Sequence, residues 1–406
     1  MKQDPIYLVV VLFWLILAIS IIVSHETILS LLGLVKTTEF LLLFAYIREN
    51  VSRETFRTIF WIFLASMSLQ ALLGIVQYLG QSSLGLKFLG EEYLRPGLRD
   101  IAEFVSHGVA SPWFYQSFPY LSPISDISVN LRAYGTFSHP NVFAGLLFMG
   151  ILVNLYLLFH VKQKVLSRET ILLSLFLLII ITGLVVTFSR FTLLLTGAGI
   201  LLWFLAVFLA IRRPYMQGIH SGARFHVKEF YKPQNLAIIL MLILMIASIN
   251  YFLFHQQIQD RFFGVRTGKA ESDVLESLGD RELLGGIAVK MIKQKPLLGV
   301  GLKNFVVRMQ DYADEKLMPY SHQPVHNIYL LVAAESGIFA LVAFLILLFL
   351  IIKRGLRSEA PLDLKITLLI IFFGFLAIGL VDHFPLTLQQ GSIAFWLVAG
   401  LLSAKV

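Results

Sequence analysis

Among the residues of this chain whose types can do chemistry at neutral pH, a histidine, His326, and several arginines stand out by their place in the sequence. An imidazole titrates near neutrality, so His326, in the pair His326-Asn327, can serve as a general base that takes a proton from a hydroxyl. It stands where a long polar segment enters an apolar run. Gly337, eleven positions on, is about three helical turns away and returns to nearly the same face. The plainer reading is an interfacial histidine bonded to water or backbone. Arg190, in Thr187-Phe188-Ser189-Arg190, interrupts an apolar stretch with no acidic residue nearby in sequence. A guanidinium there either snorkels toward headgroups or uses its planar fork to grip two phosphate oxygens. Arg132, ahead of Gly135-Thr136-Phe137-Ser138-His139-Pro140-Asn141, and Arg281, at the opening of an amphipathic stretch, are its companions. Several guanidiniums and a histidine at one membrane depth are what is needed to bind a pyrophosphate and help it leave. A leaving pyrophosphate needs cations, metal or guanidinium. The sequence carries no HExxH and no Asp-x-Asp on the side where these residues fall, so guanidinium is expected, with no metal and no cofactor.

Other polar residues inside or beside apolar runs carry weaker claims. Lys36 and Glu39, three apart, can pair on one helical face, and Glu335 falls a turn or two inside its run. His25-Glu26 is a weak alternative catalytic pair. Asp382-His383-Phe384-Pro385 can orient a base or an acceptor, although a turn that ends a helix explains Asp and Pro equally well.

The elements that must position these groups are membrane helices. Of the 406 residues 57% are hydrophobic and 14% charged, which is the composition of an integral membrane protein. Apolar runs of about 20 residues, enough to cross a bilayer, are read near 6–23, 28–47, 58–79, 141–159, 171–187, 191–211, 235–254, 327–352, 366–381 and 389–404. The expected fold class is therefore an all-α polytopic membrane protein of about 10 transmembrane helices, with 10–12 compatible, in one domain over 1–406. Basic residues fill every second connection: Arg48, Arg53 and Arg57; Lys162, Lys164 and Arg168; Arg212, Arg213, Arg224, Lys228 and Lys232; Lys353, Arg354, Arg357 and Lys365. The positive-inside rule puts those connections and both termini in the cytoplasm. Two long segments, 80–140 and 255–326, then lie outside. The first, with aromatics such as Trp113, Phe114 and Tyr115, is expected to form short helices and turns at the interface. In the second, Leu283, Leu284, Ile287, Ala288 and Met291 recur at helical spacing, as in a helix lying on the membrane surface. Pro296 should end that helix, and Gly299-Val300-Gly301 should allow a tight turn.

The net charge of +8 does not indicate nucleic acid, because the cations sit in short loops between apolar runs. Without cysteine the chain has no disulfide framework and no thiol chemistry. A secondary transporter, or a transporter of lipid-linked glycan, is the rival class. Transporters gather polar groups near the midplane, however, and this chain gathers them at one surface.

Three stretches resemble the bacterial O-antigen ligase and polymerase superfamily, which includes protein O-oligosaccharyltransferases: Arg132 through Asn141 and Ala144; Phe188-Ser189-Arg190; and Arg281 through Asn304 followed by His326-Asn327 to Gly337. Pro296-Leu297-Leu298-Gly299-Val300-Gly301 and the spacing from His-Asn to Gly are the most specific parts, while Ala340 departs from the family pattern. The resemblance implies a glycosyltransferase of GT-C architecture in the cytoplasmic (inner) membrane, working on its periplasmic or extracellular side. It implies a polyprenyl (undecaprenyl) diphosphate-linked glycan as donor and a glycan, lipid or protein hydroxyl as acceptor. Carried over residue by residue, His326 is the base, Arg190 and Arg281 clamp the donor diphosphate, and Arg132, Asn141 and Asn327 support the site. Ligase, polymerase and protein transferase would share this set.

Overall fold

Backbone in lipid has no water to bond with, so apolar stretches must satisfy their own amides as helices. The computed structural model describes residues 4–98, 101–107, 127–161, 167–217, 233–263, 268–317 and 322–404. In chain order the described elements are α1 Pro5–Ser20, α2 Thr27–Asn50, α3 Arg53–Gly80, β1 Glu103–His107, β2 Ile127–Leu131, α4 Pro140–Phe159, α5 Arg168–Val185, α6 Arg190–Gln217 and α7 Pro233–Phe263. They continue with α8 Gly268–Gln294, α9 Phe305–Arg308, α10 Ile328–Arg357, α11 Leu362–Ile378, α12 Phe384–Thr387 and α13 Gln389–Leu402. Each of the ten apolar runs is a helix. Eight of them are long and apolar enough to cross a membrane, while α11 and α13 are shorter, at 17 and 14 residues. This is an all-α polytopic membrane protein. Residues Trp113 to Tyr115, Lys162, Lys164, Arg224, Lys228 and Lys232, named above, lie outside the described residues.

The chain divides into two compact units. The first comprises Met1–Arg53, Ser272–Ala360 and Phe372–Val406. Within it α1 packs along α10, where the rings of Phe13 and Phe344 stack with centroids 5.6 Å apart. Helix α2 packs along α13, and a Cβ on Gly400 would come within 2.9 Å of Ile47 Cβ, so the small residue permits this close approach. Arg48, near the end of α2, is buried and pairs with Asp4 and Glu49 beneath the ring of Tyr7. A buried guanidinium is tolerable here because carboxylates and an aromatic face surround it. Lys36 and Glu39 form the expected pair at 2.9 Å, on an exposed face of α2.

Helix α8 corrects two expectations. It starts at Gly268, so Arg281 lies in its middle and does not open it. The polar run Gly268-Lys269-Ala270-Glu271-Ser272-Asp273 carries no apolar stripe, which hides its helicity from a periodicity reading. Its apolar face also does not lie open for a membrane surface. Leu284, Ile287, Ala288 and Met291 are buried in a protein core with Val300, Phe305, Met309, Tyr312, Val325, Leu331 and Ala334. The helix ends at Gln294, and Gly299 and Gly301 take the left-handed backbone (φ 66° and 103°) expected of a tight turn.

Helix α10 departs from a regular helix at Gly337, whose φ is 83° and ψ 174°. The glycine is therefore not a helical residue sharing a face with His326. The turn after α8 fills the break: Val300 N–H donates to Ala334 O, Gly301 N–H to Glu335 O, and Ile338 N–H to Pro296 O, at 2.8–2.9 Å. A Cβ on Gly337 would sit 2.0 Å from Leu297 O, so only glycine fits.

The second unit comprises Glu54–Glu271 and Pro361–Ile371. Helix α4 is at its centre, buried along nearly its whole length, with α5, α6 and α7 around it. A helix apolar all round belongs inside. Strands β1 and β2 pair antiparallel, Phe104 opposite Asn130 and Val105 opposite Val129. They add a strand pair to the short helix and turns expected in this segment, of which Lys87–Leu89 is a single helical turn. The alternation in Ile127-Ser128-Val129-Asn130-Leu131 is a strand pattern, masked in the sequence by its five-residue length and turn-forming neighbours.

Candidate functional site

In the second unit, the arginine motif is built around two turns. After β2 the chain passes through Arg132 into Gly135, a left-handed residue (φ 61°) clamped by glutamines of α3. Gln77 donates to Gly135 O (2.7 Å) and accepts from Gly135 N–H (2.8 Å), and Gln70 holds Thr136 in the same two-handed way at 2.9 Å. His139 then caps α4 by accepting from Asn141 N–H through Nδ1, with Pro140 preset in the first turn. This fixes Asn141 at the start of a rigid, buried helix.

The second turn joins α5 to α6. Phe188 is strained at φ 48°, and Ser189 and Arg190 follow it into the first turn of α6. The buried Arg132 bridges the two turns. Its Nε donates to Thr187 O (2.6 Å) and its terminal nitrogen to Asn141 Oδ1 (2.8 Å). Ser189 Oγ donates to the same Asn141 oxygen at 3.1 Å. Arg190 is half-buried at the start of α6, where the partial positive charge of the helix end adds to its own. Arg132, Asn141 and Arg190, three of the residues singled out from the sequence, are thus assembled around one structure.

Arg261 also belongs to this group, and the sequence reading passed it over. Its Nε donates to Phe188 O at 3.3 Å, and its guanidinium stands 6.0 Å over the Phe104 ring. The available signal was the charged pair Asp260-Arg261 at the end of a long apolar run. Tyr134 also takes part, its hydroxyl accepting from Ala102 N–H at 2.6 Å while burial raises its pKa above the ordinary 10.0.

In the first unit, His326 and Asn327 stand at the entrance to α10. Asn327 is an N-cap whose Oδ1 accepts from the amides of Tyr329 and Leu330 at 3.0 and 2.9 Å. Two bonds tie this end to the end of α11: Ile328 N–H to Gly379 O (2.8 Å) and Asn327 Nδ2 to Leu380 O (3.2 Å). They bring His383, at the start of α12, beside His326 with ring centroids 5.2 Å apart. Asp382 closes the same turn, accepting from Phe384 N–H at 3.2 Å. The turn-ending reading of Asp382 therefore applies.

Burial holds the His383 pKa down at about 4, with His326 and Lys303 acting in the same direction and Asp382 opposing them. Glu335 is buried one helical segment further on and accepts from Phe305 N–H at 3.4 Å. Asn304, fully buried, stitches the turn after Gly301 to the start of α2: its Oδ1 accepts from Glu26 N–H (2.8 Å) and its Nδ2 donates to Ser30 Oγ (2.8 Å). His25 and Glu26, the weak alternative pair, are exposed and 3.5 Å apart. Arg281 is exposed on α8, one turn before Leu284 of its buried face.

The ten helices and the minimal sheet define a multi-pass helical membrane protein, whose second unit carries the arginine turns and whose first unit carries the histidine turn. Residues 175–345 match the O-antigen ligase family model, which supports membership of the O-antigen ligase and polymerase superfamily. That span contains Arg190, Arg261, Arg281, His326 and Asn327, whereas Arg132, Asn141 and His383 fall outside it. No curated protein matches the chain. The match supports glycan transfer of the O-antigen ligase kind in general.

Proposed function

We propose that this protein is a glycosyltransferase that moves glycan from a polyprenyl diphosphate-linked donor to an acceptor hydroxyl at the outer face of the cytoplasmic membrane. The observation that carries the reading is His326, inside the matched span, fixed at the capped end of α10 in a polar turn. His326 takes the proton of the acceptor hydroxyl. The oxygen's electron pair forms the new bond to the anomeric carbon, and the bond from that carbon to the diphosphate breaks with its electrons leaving on the diphosphate. Direct displacement inverts the anomeric centre. Arg190 and Arg281 take up the charge on the departing group, and guanidinium does what a metal ion would do in other transferases. Arg132 and Asn141 hold the turn from which Arg190 projects, and Asn327 caps the helix that follows His326. The polyprenyl tail lies in lipid, and the cation-bearing helix ends meet its head.

The test is transfer by the purified chain in EDTA, with a polyprenyl diphosphate oligosaccharide as donor. The acceptors are a core glycolipid, a second molecule of the donor and a Ser/Thr peptide. Folded His326→Ala, Arg190→Ala and Arg281→Ala are expected to lose about 100-fold or more of the rate. Undiminished transfer by His326→Ala removes the base, and a strict requirement for divalent metal removes the arginine clamp. Which acceptor receives the sugar separates ligase, polymerase and protein transferase.

A further inference from the structure

His383 lies outside the matched span and has no part in the reading above, yet its surroundings are built as closely as those of His326. Its Nδ1 is 2.6 Å from Thr387 Oγ1, and the same hydroxyl lies 3.0 Å from the His383 carbonyl oxygen. A threonine hydroxyl has one proton to give. Both contacts are satisfied only if Thr387 donates to the carbonyl and accepts from Nδ1–H. That places the ring proton on Nδ1 and leaves the lone pair on Nε2. The turn that carries the ring is fixed from three sides: Asp382 accepts from Phe384 N–H, the start of α10 is bonded to Gly379 and Leu380, and Gly391 lies close under Phe384, where a Cβ would meet Phe384 O at 2.4 Å. The neighbouring ring is His326, 5.2 Å away between centroids.

We propose that His383 is a positioning residue for the transfer reaction, a neutral imidazole of fixed tautomer whose Nε2 lone pair orients His326 and stabilises the proton that His326 takes from the acceptor. This rests on the reading of His326 as the base. The charged and titratable groups that bear on His383 are Asp382 on its own turn, His326 at the start of α10 and Lys303 in the turn before α9. Burial leads the three in holding His383 uncharged through the neutral range, so a proton arriving at the pair resides on His326. An acceptor beside a base favours the protonated form of that base and strengthens it.

The experiment measures donor KM, kcat and the pH profile of kcat for the purified full-length chain with the polyprenyl diphosphate oligosaccharide. It compares wild type with His383→Phe, His383→Gln, His383→Asn and His326→Ala. His383→Phe keeps a ring of similar size without the lone pair. It is expected to lower kcat about tenfold or more, to leave donor KM unchanged, and to move the acid limb of the profile to lower pH. His383→Gln reaches an acceptor to the Nε2 position and should restore most of the rate, whereas His383→Asn, which reaches only to Nδ1, should not. Wild-type kinetics in His383→Phe, or equal losses in Gln and Asn with an unmoved acid limb, overturn the proposal and leave the His326 reading intact. Undiminished transfer in His326→Ala overturns the His326 reading itself. If His383→Phe does not elute as a folded species, the contrast between Gln and Asn decides alone.

Discussion

Arg132 illustrates how a cation inside a membrane protein can work through geometry more than through charge. Its guanidinium spans the carbonyl of Thr187 and the side chain of Asn141, two points of different turns, and an ammonium has no fork to do this. Arg132→Lys is therefore expected to lower stability by about 1–3 kcal/mol, read as a lower midpoint of thermal unfolding in detergent, although the charge is kept. His160 makes a different kind of contact. Its Nε2 is 2.9 Å from Asp363, whose carboxylate is buried. Burial opposes the charged imidazole, but the bond and the charge of Asp363 outweigh it and raise the His160 pKa above the ordinary 6.5. The pair thus contributes stability that is complete below about 6.5 and is lost as pH rises through the raised value. Unfolding midpoints of wild type should fall across that window, and those of His160→Gln should fall less.

Among the elements, α10 depends most on a single residue. A methyl group at Gly337 would meet Leu297 O at 2.0 Å in a backbone region closed to alanine, so Gly337→Ala is expected to cost about 2 kcal/mol or more. Thermal unfolding measures this, and a wild-type midpoint would mean the turn after α8 can move aside. The ten helices were legible in the sequence because apolar runs of spanning length have few alternatives in lipid. The turn Gly299-Val300-Gly301 was legible because glycine in a polar segment marks an unusual backbone. What stayed hidden is what one element presents to another. The stripe Leu284, Ile287, Ala288 and Met291 is equally suited to lipid or to protein, and its spacing carries no mark of which it meets. The break at Gly337 was hidden for the same reason, since eleven residues match three helical turns whether or not the helix is intact. At the candidate site, Arg132, Asn141 and Arg190 were found through motif and charge. Arg261 was missed because its partner is a backbone carbonyl, and such bonds leave no trace in a pattern of residue types.

For the whole molecule, the alternation of basic connections makes a claim about sidedness that a chain without native cysteine can test directly. Ala270→Cys should react with a membrane-impermeant thiol reagent added to intact cells, and Ser358→Cys should react only after the membrane is opened. The reverse pattern would move the proposed chemistry to the cytoplasm. Another whole-chain consequence follows from the backbone bonds between Pro296–Gly301 and residues 334–338 of α10. Chimaeras intended to exchange acceptor preference between relatives would naturally cut at the apparent boundary of an extramembrane segment, just before α10. Here that cut would separate three amide–carbonyl pairs from their partners and leave a foreign turn facing a gap shaped for another. The smallest transplantable piece therefore runs from α8 through Ile338, and a library that recombines at 326–328 should yield mostly unfolded protein.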